Sequence, residues 1–187
     1  MNWDSVFGVC YRKHPGAGAE ELMRFAGEWS KPLSQEEKAD ITGRQRNPFP
    51  VTDPLHSLYR PFDPGLWTLP GLPLPALYLD FLSYSNGGEF GNGERFFQFF
   101  GTDDLRAMML AYEFPQYMPG GVPFAMDGSG HHYIWDMRSP LGNGEYPILA
   151  AHSGNLGYDD AARIADSFEE LCRGTESVED ILYNNAP

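Results

Sequence analysis

Phe124-Ala-Met-Asp-Gly-Ser-Gly-His-His-Tyr-Ile-Trp-Asp-Met137 is the stretch whose reading decides the architecture. Two apolar, β-prone runs, Phe124 to Met126 and Tyr133 to Trp135, flank Asp127-Gly128-Ser129-Gly130. Glycine takes positive φ without steric cost, so the segment predicts a β-hairpin. Beyond the turn, alternation puts Tyr133, Trp135 and Met137 on one face and His132, Ile134 and Asp136 on the other. Apolar groups on both faces imply a strand inside a sheet with helices packed against it.

Working outward, Tyr146 to Ala151 reads as a further strand. Tyr158 to Arg173 is expected to be a helix capped by Asp159 or Asp160, with Ile164, Phe168 and Leu171 at i, i+4 and i+7. Ser177 to Tyr183 adds one or two turns. Upstream, Thr102-Asp-Asp104 is expected to cap a helix that runs to about Glu113, with Leu105, Met108, Met109 and Tyr112 on its apolar face. Phe96 to Phe100 reads as a short aromatic strand, and Gly87 to Gly93 before it as a loop. Leu74, Leu77, Tyr78, Phe81 and Leu82 form one helical stripe, started by Pro75 and ended by Asn86-Gly87 in the left-handed conformation. Further back, Ala19 to Trp29 predicts a helix carrying Leu22, Phe25, Ala26 and Trp29, and Ser34 with Glu37 forms a capping box for a short helix before Gly43. Asn47 to Pro75 is broken by prolines yet apolar, which predicts an ordered wrap over the core.

The chain has 187 residues, enough for one well-buried core, and its 42% apolar and 14% aromatic content excludes a disordered protein. Its net charge of -13 is uneven: residues 1–100 hold 12 acidic and 9 basic groups, residues 101–187 hold 14 and 4. Such a field repels nucleic-acid phosphates and anionic lipids, attracts a basic protein, and in the plainest reading serves solubility. Cys10 and Cys172 lack any CxxC spacing, so neither a disulfide framework nor a cysteine zinc site is expected. The first residues show no secretory pattern, and the uncharged run Pro64 to Leu79 is too short and proline-rich for a membrane span. A soluble cytoplasmic protein is the expectation.

Little in the chain points to catalysis. His131 and His132 are adjacent on a strand, so their rings face opposite sides and cannot share one ion. Gly128-Ser129-Gly130 lacks the spacing of a nucleophile elbow, and Gly87 to Gly93 lacks the lysine of a phosphate-binding loop. Phe96 to Phe100 could stack bases, but the charge favours a buried strand. Asp127, Asp136 and Glu145 are the carboxylates available for a hydrolytic pair, at separations the sequence leaves open.

Taken together, Leu69-Pro70 and Leu74-Pro75 leading into Leu77-Tyr78-Leu79-Asp80-Phe81-Leu82, then Asn86-Gly87-Gly88, form an ordered pattern. Phe124 to Gly130, Tyr133 to Asp136, Tyr146-Pro-Ile148 and Ile164 to Leu171 complete it. This pattern resembles the SUKH superfamily, which includes fungal glucan-synthesis regulators and many bacterial immunity proteins. It covers roughly residues 66–173, with residues 1–65 as an N-terminal extension of one or two helices and a proline-rich wrap, and 174–187 as a helical tail. The resemblance implies a single α+β domain, a mixed or antiparallel sheet flanked by helices, with no catalytic residue, metal or cofactor. It also implies a bacterial protein that binds and neutralises a basic toxin domain, often a nuclease. A regulatory or scaffold domain with several partners is the alternative. Carboxylates of the hairpin and the glycine-rich segment, Glu89, Glu94, Asp127, Asp136 and Glu145, are the candidate partner-binding residues.

Overall fold

The strands form one seven-stranded antiparallel sheet in the computed structural model, which describes residues 1–184, with tight turns at β2–β3 and β4–β5 and longer connections elsewhere. The strands are β1 (Val9–Lys13), β2 (Gly88–Asn92), β3 (Arg95–Phe99), β4 (Gly121–Met126), β5 (His131–Asp136), β6 (Ile148–His152) and β7 (Ala162–Ala165), and they pair in simple chain order. The helices are α1 (Ala19–Glu28), α2 (Gln35–Arg44), α3 (Ala76–Tyr84), α4 (Asp104–Ala111), α5 (Phe114–Tyr117), α6 (Phe168–Arg173) and α7 (Val178–Asn184). The fold is α+β.

The hairpin forms as its pattern predicts, and both of its faces are buried. On one face Tyr133 and Trp135 pack with Phe124, Tyr78 and Phe168, so α3 and α6 lie there. On the other, His132 packs against Tyr112 and Phe114 from the α4–α5 segment. Phe168 touches the rings of Trp3, Tyr78, Phe81, Phe99 and Phe124, which draws both chain ends into one aromatic core. Residues 1–65 contribute Trp3, Val6, Phe25 and Trp29 to that core. The wrap from Asn47 to Pro75 is held by two short 3-10 turns and a second, smaller core of Leu33, Ile41 and Leu110, against which Phe62, Trp67 and Leu69 pack.

Several expectations need correction. The glycine-rich run Gly87 to Gly93 is mostly strand β2, not a loop. Its glycines let β1 approach: a Cβ on Gly88 would stand 2.4 Å from the Arg12 carbonyl oxygen. β1 itself went unread, because none of its five residues is buried and it borrows its order from β2. Residues Tyr158 to Arg173 are not one helix. Ala162–Ala165 pairs with β6, and the helix begins after Ser167, whose hydroxyl accepts the Glu170 N–H. Ladder bonds to a neighbouring strand outweighed a helical spacing that Ile164 shares only by coincidence.

Two caps also differ. Ser85, extended, follows α3, and the left-handed glycines 87 and 88 lie beyond it. At α4 the N-cap residue Asp103 makes no side-chain cap bond. Thr102 is instead drawn into a knot in which its hydroxyl donates to Glu21 (2.6 Å) and its N–H to Asn86 (2.8 Å). The Ser34 and Glu37 capping box forms in full, although α2 continues through Gly43 to Arg44. The proposed tail forms as α7, and residues 185–187 of that segment lie outside the described residues. No described helix is long and apolar enough to cross a membrane.

Candidate interaction surface

Residues paired directly across antiparallel strands share a face, so the register fixes which side chains meet. One row runs Arg12, Glu89, Gln98, Met126, His132, Ala151 from β1 to β6. A second runs Val9, Gly91, Phe96. Toward β6 this face is sealed: His132 is fully buried beneath Tyr112 and Phe114, with ring centroids at 4.4 and 5.1 Å. Helices α4 and α5 pack on β4, whereas along β1 to β3 Val9, Tyr11, Arg12 and Gln98 are exposed and Glu89 and Phe96 half-buried.

The open part is aromatic. Tyr11 sits at a bulge in β1, where the extra residue leans over its neighbour. Its ring lies across Gly91, where a Cβ would come within 3.0 Å of it, and 5.6 Å from the ring of Phe96. Tyr11 is 62% exposed and Val9 47%. Around this patch stand Gln98, Arg12 and Glu89, the last two paired at 3.4 Å. A cleft of about 190 Å³ lined by Glu89, Gln98, Phe100 and Met108 separates the patch from α4.

A meander places its turns alternately at two ends of the sheet, and this divides the five candidate carboxylates. Glu94, in the β2–β3 turn, and Asp127, in the β4–β5 turn, share one end. Asp136 and Glu145 border the β5–β6 connection at the opposite end, and Glu89 lies within β2 on the open face. They do not converge on one patch.

Several are also committed internally. Asp127 accepts the N–H groups of Ser129 (2.8 Å) and His131 (2.9 Å) and holds the His131 ring at 2.8 Å. Asp136 takes a two-pronged contact from Arg138 at 2.8 and 2.9 Å. Burial pushes the Asp136 carboxyl up, but the bonds and charge of Arg138 outweigh it and hold it below the ordinary range. Glu145 accepts the Phe168 N–H at 3.1 Å, and burial raises its carboxyl. Glu94 is exposed in its turn. As acceptors, Glu94 and Glu89, the latter paired only with the exposed Arg12, are therefore the most accessible of the five.

His131 and His132 do face opposite sides of β5, and no described group of three His, Cys, Asp or Glu residues is arranged to hold a metal ion. Sequence reasoning missed the exposed Val9 and Tyr11 and the half-buried Phe96 beside them. The alternation in Val9-Cys-Tyr-Arg-Lys13 was the available signal, but exposure of an aromatic strand face is a tertiary property.

The site is thus an antiparallel sheet with helices packed on most of one face and on part of the other, and a partly exposed aromatic patch at its β1 to β3 end. The sequence pattern of the SMI1 / KNR4 family (SUKH-1) matches residues 68–174, more than half of the chain. The chain belongs to that family. A comparison with curated proteins gave no match.

Proposed function

We propose that this chain is a non-enzymatic immunity protein that binds and neutralises a basic toxin domain, with the open face of β1 to β3 as its docking surface. The observation that carries the reading is the Tyr11–Phe96 patch with Glu89 beside it, on a molecule of net charge -13. Aromatic side chains contribute disproportionately to the centres of protein interfaces, and surrounding carboxylates speed encounter with a basic partner. The polar rim of Gln98, Arg12 and Glu94 supplies orientation. The family resemblance to immunity proteins supports the same reading.

The test is a pull-down of the tagged chain from its native cells at low and high salt, with mass spectrometry of retained proteins. One basic, near-stoichiometric partner with a toxin-like domain is expected, retained less well as salt rises. Its affinity for a Tyr11→Ser/Phe96→Ser variant should fall by at least about tenfold, ~1.4 kcal/mol. Full affinity in that variant would remove the proposed surface. Several weak, salt-tolerant partners would instead favour a regulatory scaffold.

A further inference from the structure

Between α5 and the β6–β7 connection lies a groove of about 610 Å³, lined by Ala111, Tyr112, Glu113, Tyr117 and residues Ser153 to Leu156. Glu113 is the one charged residue among them. It is also the one described non-glycine residue with positive φ, at 58°. An L-residue there carries a backbone cost that glycine would not. The conformation is imposed by its neighbours: Tyr112 and Phe114, on either side of it, both pack on the buried ring of His132.

Glu113 is costly in a second way. Burial raises its carboxyl above the ordinary carboxylate value, against the charge of Arg44 and the Tyr117 hydroxyl. Arg44 is itself committed, donating to the Leu110 carbonyl at 2.6 Å and lying 4.0 Å from Asp40. A half-buried carboxylate at a strained position, where glycine or asparagine would fold more easily, is poorly explained by stability. Tyr112 and Tyr117 line the groove beside it, and an aromatic ring attracts a cation held against its face.

We propose that this groove receives a cationic side chain, arginine or lysine, of a protein partner, with Glu113 as its counter-ion and Tyr112 and Tyr117 as its aromatic walls. The site deepens the protein-binding reading and rests on it, while lying apart from the Tyr11–Phe96 patch. It gives a basic partner a second, geometrically defined anchor.

The experiment needs no natural partner. ¹⁵N-labelled full-length protein is titrated with N-acetyl-arginine methylamide and N-acetyl-lysine methylamide, with the uncharged N-acetyl-norleucine methylamide as control. Saturable shifts at the amides of residues 112–117 and 153–156 are expected with the cationic probes, at millimolar affinity. They should weaken at least about fivefold in Glu113→Gln, in line with loss of one partly desolvated charge pair. Glu113→Gly and Glu113→Gln should unfold at or above the wild-type temperature. Absence of saturable shifts at those amides, equal response to norleucine, or equal response in Glu113→Gln would overturn the proposal. So would a lower unfolding temperature in both variants, since the carboxylate would then be a structural group. Failure of the titration with Tyr11 and Phe96 still required for partner binding would refute this groove alone.

Discussion

Acidification should destabilise the protein through His132. Its ring is fully buried, packs against Tyr112, Phe114 and Phe100, and neither ring nitrogen has a hydrogen-bond partner among the described residues. Desolvation lowers its pKa from 6.5 to about 4, with the Asp127 carboxylate pulling weakly the other way and His131 and His152 adding to the drop. The unfolded chain therefore takes up a proton near pH 6.5 that the folded chain refuses until about pH 4. Stability is complete above the higher value and falls as pH drops between the two.

The full loss is about 3 kcal/mol, and about 2 kcal/mol of it is reached by pH 5. Urea unfolding followed by fluorescence of the four tryptophans, between pH 7.5 and pH 5, measures it directly. His132→Leu isolates the contribution, because the other titrating groups are common to both proteins. At pH 7.5 the variant should be as stable as wild type or more so, since it removes two buried nitrogens without a partner among the described residues. At pH 5 the gap should have widened by about 2 kcal/mol in favour of the variant. Parallel pH curves for the two proteins would refute the reasoning.

Arg95 is buried and donates to the carbonyls of Glu176 (2.8 Å) and Leu171 (3.1 Å), so Arg95→Met should cost about 3 kcal/mol in urea unfolding. Gly174→Ala should lower the thermal midpoint through the same contact, because its Cβ would stand 2.0 Å from Arg95 Nη1. Ser34→Ala should cost about 1 kcal/mol of unfolding free energy by opening the capping box. Glu37→Gln should cost more, because Glu37 also binds Arg106 at 2.7 Å, and Arg106 in turn holds the carbonyls of Trp29 and Lys31. That bond to Arg106 lowers the Glu37 pKa, so its share of stability is present above the ordinary carboxylate value and is lost as pH falls through the lowered one. A pH titration of wild type against Glu37→Gln below pH 5 checks this. Phe168→Ala should be the most damaging single change, about 4 kcal/mol in chemical unfolding, because its ring joins Trp3, Tyr78, Phe81, Phe99 and Phe124.

What the sequence determined by itself lay in local periodicity where tertiary pairing did not override it, as it did at Ile164. The hairpin, the stripe of α3 and the capping box at Ser34 depend on residues close together in the chain, and the family pattern is a series of such short motifs in order. Side-chain spacing and glycine placement decide such features before any tertiary contact forms. Tertiary structure decided the rest. β1 and β7 are strands because β2 and β6 offer them ladder bonds, and Gly88 matters because a neighbouring backbone needs its space. The five candidate carboxylates were legible as acidic residues, but the meander sends their turns to opposite ends, and Arg138, His131 and the Phe168 N–H engage three of them. Tyr11 and Phe96 meet only because register aligns their strands, and Glu113 is strained only because Tyr112 and Phe114 are both pinned on His132. Burial and pairing between distant segments have no local signature, and they set both the open face and the groove.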